Sequence, residues 1–256
     1  MQIRGRRLLA GAVALASVTF SSPCLGDDTV VPVSAELCAG MKSHHVLNPG
    51  APVDCERLSL VRFSYFGFDG QVHDNGEIVV LDAVADRALH IFAVLRERRF
   101  PIAKARLVDV YSGDDKVSMA DDNTSGFNDR TVPDATTISL HAYGVAIDLN
   151  PIENPFVTRK GATFAFDPPA GADYFNRIIH RPGKPDRRGV AELVVDVFAE
   201  NGFVNWGGTW DSPIDFQHFD IGRALAEELV RLPPAQAKAR FEQSIANYRR
   251  CRRDGC

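Results

Sequence analysis

Residues 137–151 read Thr137, Ile138, Ser139, Leu140, His141, Ala142, Tyr143, Gly144, Val145, Ala146, Ile147, Asp148, Leu149, Asn150, Pro151. From Val145 onward apolar side chains alternate with Ala146 and Asp148, the period-2 pattern of a half-buried strand. A carboxylate therefore sits on a strand otherwise built for a core. His141 lies seven residues earlier, and in a fully extended chain the two Cα atoms would stand roughly 23 Å apart at about 3.3 Å per residue. Gly144 removes that obstacle, because glycine tolerates positive φ and lets the chain turn back so that His141 folds over Asp148.

Two ligands do not make a catalytic zinc site, which takes three protein groups and leaves one position for water. The third is expected far downstream, where Gly202, Phe203, Val204, Asn205, Trp206, Gly207, Gly208, Thr209, Trp210, Asp211, Ser212, Pro213, Ile214, Asp215, Phe216, Gln217, His218, Phe219 carries an apolar strand into a glycine pair and an Asp-x-x-His. There His218 can face a metal and Asp215 can stand beside its water as general base.

Together these stretches resemble the zinc peptidases of the D-alanyl-D-alanine carboxypeptidase and L-alanyl-D-glutamate endopeptidase family, which cut bacterial cell-wall peptides. The family's Ser-x-His-x-x-Gly-x-Ala-x-Asp pattern is met by Ser139, His141, Gly144, Ala146 and Asp148, and its second His by His218. The resemblance implies one zinc ion held by His141, Asp148 and His218, with Asp215 as base. It also implies a peptidoglycan stem peptide as substrate. The run Asn123, Thr124, Ser125, Gly126, Phe127, Asn128, Asp129, Arg130 resembles the family's loop for a substrate or oxyanion arginine, which nominates Arg130. Ser139, Tyr143 and Trp206 are expected to line the substrate path. Asp rather than Glu at position 215 points to the endopeptidase branch. Arg130 keeps a carboxypeptidase reading open, and a non-catalytic wall-binding module is the rival from another class.

The 256 residues, 45% hydrophobic and 24% charged, suit one sizeable core. Arg4, Arg6 and Arg7 before an apolar run from Leu8 to Phe20 read as a secretory signal over residues 1–26, and the protein is expected to be exported, periplasmic or secreted. Removing that segment takes the formal charge from −4 to −7, which argues against a nucleic-acid partner, and leaves no transmembrane segment. The remaining cysteines, Cys38, Cys55, Cys251 and Cys256, suggest disulfides. Their simplest pairing is Cys38 with Cys55 and Cys251 with Cys256.

The expected fold is α+β, a small antiparallel sheet carrying the zinc site with helices packed on one side. Residues 27–59 read as an irregular extension, 60–222 as the catalytic domain and 223–256 as a helical tail. Within the domain, Leu58 to Phe66 and Ile78 to Leu81 read as strands, with turns at Asp69-Gly70 and Asn75-Gly76. Asp82 is expected to cap a helix with Ala85, Leu89, Phe92 and Leu95 inward. Arg106 to Tyr111 reads as a strand, Arg188 to Asn201 as an amphipathic helix, and Asp114, Asp115, Asp121 and Asp122 as solvated acids.

Overall fold

The computed structural model describes residues 28–132 and 136–255, together with residue 2. The chain begins its fold with β1 (Thr29–Pro32), followed by helix α1 (Ala35–Ser43), β2 (Leu58–Gly67) and β3 (Val72–Leu81). These strands form an antiparallel sheet in the order β1-β2-β3, with Leu58 opposite Leu81 and Val30 opposite Val61. The expectation of an irregular extension is therefore corrected: β1 is an edge strand of the main sheet. The period over four residues was too short to be read. Ser34 caps α1 by accepting from Leu37 N, and the Cys38–Cys55 disulfide ties that helix to the start of β2. The expected Cys251–Cys256 pairing and the signal segment fall outside the described residues.

Closing the 17-residue separation between Cys38 and Cys55 removes unfolded-chain entropy worth about 3 kcal/mol. Replacing both cysteines by Ser should lower the denaturant midpoint accordingly without changing metal content, as chemical denaturation and metal analysis would read.

Helix α2 (Ala85–Glu97) lays Ala85, Ala88, Ile91, Phe92 and Leu95 on the sheet, and Phe92 stacks on Phe63 with ring centroids 3.7 Å apart. Burying each of Ile91, Phe92 and Leu95 contributes about 1.5–3 kcal/mol. Val84, not Asp82, occupies the N-cap; Asp82 instead takes a forked pair of bonds from Arg57 at 2.8 and 3.1 Å. The Asn75-Gly76 pair is not a turn but lies within β3, beside a register shift between Phe63 and Tyr65.

Short strands follow: β4 (Pro101–Ile102) runs parallel to the end of β2, and β5 (Lys104–Ala105) pairs with β6 (Asn123–Thr124) around α3 (Asp115–Ala120). The strand expected over Arg106 to Tyr111 is a 3-10 turn at Val108–Tyr111, where alternation and a single helical turn give the same apolar pattern. Next come β7 (Ala146–Asp148) and the hairpin of β8 (Phe156–Lys160) with β9 (Thr163–Asp167). The helix expected from Arg188 is only α4 (Val195–Glu200), preceded by a 3-10 turn at Ala191–Leu193 that turns Leu193 outward.

Strands β10 (Asn205–Trp206), β11 (Ile214–Asp215) and β12 (His218–Asp220) lead into α5 (Arg223–Arg231) and α6 (Pro234–Asp254). The C-terminal helices are not an appended tail. Phe241 and Ile245 enter the same core as Phe63 and Phe92, and Arg57 donates to the carbonyls of Val230 and Leu232 at 3.2 and 3.0 Å. The α+β expectation holds, with small antiparallel sheets and a layer formed by α2, α4, α5 and α6. Among the described residues no helix is long and apolar enough to cross a membrane.

Candidate metal centre

Strand register builds the site. In the sheet β10-β12-β7, His218 lies directly opposite Asp148, so both side chains emerge on one face. A one-residue slip would send them to opposite faces. The strand is buried on both sides rather than half-buried: Ala146 and Ile147 are inaccessible and Asp148 is 2% exposed. His141 arrives on a 3-10 turn, Leu140–Tyr143, capped by Ser139 Oγ, which accepts from His141 N at 3.3 Å. Gly144 ends that turn at φ 68°, and its O accepts from Leu81 N at 2.8 Å. A Cβ at Gly144 would stand 2.6 Å from Leu81 N, so the reversal needs glycine for space as well as for φ.

His141 Nε2 lies 3.1 Å from Asp148 Oδ2 and 3.2 Å from His218 Nδ1, and His218 Nδ1 lies 3.1 Å from Asp148 Oδ1. The outer ring nitrogens are held in turn. His141 Nδ1 donates to Gly126 O at 2.6 Å, and His218 Nε2 donates to Asp220 Oδ2 at 3.1 Å. Asp220 is itself fixed by Asn205 Nδ2 at 2.9 Å and by the Gly222 N–H at 2.6 Å. Those outer bonds leave two imidazole lone pairs and a carboxylate aimed at one point, an arrangement that calls for a cation. The separations also match the edge of about 3.3 Å of a tetrahedron whose ligand bonds are about 2.0–2.1 Å. Among the described residues this is the one cluster of three such side chains close enough to share an ion.

Electrostatics agree. Burial would raise the Asp148 carboxyl, but His141 and His218 outweigh it and hold it well below the usual carboxylate range. Burial pushes the His218 imidazolium down, yet its bonds to Asp148 and Asp220 prevail and raise it well above its ordinary value. A metal must displace that proton to bind.

Asp215, on β11, is half-buried, and its Oδ1 is closed to solvent with no hydrogen-bond partner among the described residues. Desolvation, then the negative charge of Asp148, pushes its carboxyl up to about 7. A carboxyl near neutrality with an unengaged oxygen beside a metal cluster suits proton transfer.

This combination decides the comparison with known proteins. Residues 133–221 match the family model of the D-alanyl-D-alanine carboxypeptidases. The match spans about a third of the chain and contains His141, Asp148, Asp215 and His218. Searches of curated proteins and of solved structures find no match. The match to this family model and the buried His-Asp-His cluster together support a metallopeptidase.

Within the matched segment and its surroundings, the other nominated residues take different places. Arg130 pairs with Asp115 at 2.9 Å, near enough to the centre that its charge acts on Asp215. Asp115 is thus not a solvated acid; burial raises its carboxyl and Arg130 partly offsets that rise. Nor are its neighbours free, since Asp114 caps α3 and Asp121 accepts from Tyr111 and Lys104. Ser139, Tyr143 and Trp206 each make contacts within the scaffold. Ser139 is buried in the turn, Tyr143 packs on the core beneath Arg223, and Trp206 stacks on Phe219 while donating to Phe216 O at 2.8 Å. Trp210 is the exposed aromatic next to His218, with ring centroids 5.5 Å apart.

Asp220 and Asp115 were missed as site residues. The signal for Asp220 was present, because His-x-Asp on a strand puts both side chains on one face. Gly207 was also missed as a positioning residue: a Cβ there would lie 2.4 Å from Asp215 O and 2.8 Å from its Cβ. Gly207→Ala should therefore displace Asp215 and, if Asp215 takes part in proton transfer, cut turnover on the order of 10²-fold, the effect of an error near 1 Å in a reacting group. Kinetics with parallel metal analysis would check it, and metal content should be unchanged.

Proposed function

We propose that this protein is an exported zinc peptidase that cleaves within the stem peptide of bacterial peptidoglycan, after L-alanine. The observation that carries the peptidase reading is the buried cluster of His141, Asp148 and His218 with Asp215 near enough to feel its charges and one oxygen, Oδ1, unbonded. When bound by those three residues, zinc supplies Lewis-acid activation of water and of the scissile carbonyl. Asp215 removes a proton from the attacking water and returns it to the leaving amine. Arg130, held by Asp115, balances negative charge on the carbonyl oxygen or grips a substrate carboxylate with its planar fork. Gly126 O and Asp220 keep the two imidazoles in the ligating tautomer and orientation.

Asp in place of Glu at position 215, and the segment Trp206 to Trp210, support the endopeptidase branch. Arg130 supports the second reading, a D-alanyl-D-alanine carboxypeptidase, because a carboxylate clamp suits a substrate with a free C-terminus. Mass analysis of defined stem peptides after incubation with the zinc-loaded protein separates the two. Cleavage between L-alanine and D-glutamate is expected; release of free D-alanine alone from a pentapeptide would reject the endopeptidase reading. A protein that binds purified wall without cutting it would instead be the non-catalytic module.

A further inference from the structure

The hairpin of β8 and β9 presents apolar side chains that the described residues leave open. Within the sheet β11-β8-β9, Asp215 lies opposite Phe156 and Phe156 opposite Asp167, so these three share one face. Ile214, Val157 and Phe166 share the other, and farther out so do Arg159 and Phe164. Phe175 closes on that second face, its ring centroid 4.9 Å from that of Phe164 and 5.3 Å from that of Phe166. Yet Phe164 is 47% exposed, Phe175 39%, and Ile178, three residues further on, 62%. Phe164 and Phe175 are the exposed phenylalanines among the described residues, and exposed apolar side chains that gather in one place mark an interaction surface.

The charge around them has one sign. Residues 156–188 carry seven arginines and lysines against three aspartates, in a chain whose formal charge is −4. Arg177 is taken up by Glu192, at 2.7 and 2.6 Å, and of the aspartates Asp186 is engaged by His180 at 3.0 Å and Asp167 by Lys116 at 3.7 Å. Arg159, the cross-strand partner of Phe164, donates to Gly161 O at 3.0 Å. Arg187 donates to Asp173 O at 2.6 Å and lies 4.8 Å over the ring of Tyr174, the residue before Phe175. Its own N–H bonds Ile179 O at 3.0 Å, which ties the loop back beside Ile178. Lys160 and Lys184 stand exposed.

That pairing of features selects the partner. A second copy meeting this face across a two-fold axis would set like charges against like, and a polar polymer would leave phenylalanine and isoleucine in water. An anionic bilayer answers both, since its headgroups attract the basic residues and its acyl boundary receives the apolar tips. We propose that the β8–β9 hairpin and the loop after it dock this protein on an anionic lipid surface, with Phe164, Phe175 and Ile178 entering the bilayer. The face of the sheet that carries Asp215 is the other one, so it is turned from the lipid. The docking surface does not depend on the peptidase reading.

Co-sedimentation with vesicles tests it. Residues 27–256 hold every described strand and helix, and their use keeps the apolar run from Leu8 to Phe20 from entering the bilayer itself. Binding to vesicles of phosphatidylcholine with phosphatidylglycerol is expected, weakened by added salt, with little binding to phosphatidylcholine alone. Phe164→Ser and Phe175→Ser should each bind about tenfold more weakly, and Lys160→Gln and Lys184→Gln each about fivefold. Val110→Ser and Arg252→Gln, which lie outside this face, should bind as the wild type does. Phe164→Trp adds a spectroscopic readout, a blue shift of emission on adding anionic vesicles that the wild type does not show. Absence of binding to anionic vesicles, or unchanged binding by both Ser variants, would overturn the proposal. So would a dimer that Phe164→Ser dissolves, which would give the face to a second copy, and pelleting with purified wall but not with vesicles, which would give it to a polymer.

Discussion

Asp215→Asn should lower turnover of a wall peptide by about 10²–10⁴-fold, the usual contribution of a positioned acid–base group, while the protein retains its metal. The side chains are nearly equal in volume, and Asp215 Oδ1 makes no hydrogen bond that the substitution would break. Packing therefore survives and proton transfer does not. The pH profile gives a second readout. A base works deprotonated, so activity rises as pH rises through the Asp215 value, which burial and Asp148 push up to about 7. A bound cation's charge moves that rising limb to lower pH. In Asp215→Asn the limb should be absent. Equal turnover by the variant, or an unchanged limb, would remove Asp215 from the mechanism.

His218→Ala should abolish both metal retention on dialysis and turnover. Only His141 and Asp148 would remain, and the Asp220 carboxylate behind His218 would be left buried with one partner fewer. Asp220→Ala is the graded companion. Loss of an outer-shell partner typically weakens metal affinity by about 10–100-fold, so this variant should bind metal at high concentration and release it to a mild chelator. Since a ligand at about 1,000 times its Kd adds about 4 kcal/mol to native stability, thermal melts with and without added zinc should show a large shift for the wild type, a smaller one for Asp220→Ala and none for His218→Ala. A full equivalent of metal in His218→Ala would mean another residue completes the set.

How much of this could be read from the chain follows from the range of the forces involved. The turn at Gly144 and the strand at Asp148 were legible because their signals are local: a glycine at a reversal, then apolar alternation. His218 was reached through its motif, and the structure shows the physical reason it converges, the register of β12 on β7. The fold's edges were less legible. Strand β1 has four residues, and nothing within them announces that they pair with Leu60 and Val61. The Arg57–Asp82 pair beat a helix cap because Arg57 is distant in sequence and near in space. Asp115 looked like one solvated acid among several, and only its contact with Arg130 sets it apart.

The two strands that carry Asp148 and His218 are immediate neighbours, yet the chain between them runs out through the β8–β9 hairpin and the arginine-bearing loop before β11 brings it back. None of that excursion supplies a metal ligand. The metal ligands are thus written apart from most of the chain that separates them: β8 must stay to hold β11 and Asp215 in place, but the segment beyond the hairpin can change in length or sequence while the ligand set stays as it is.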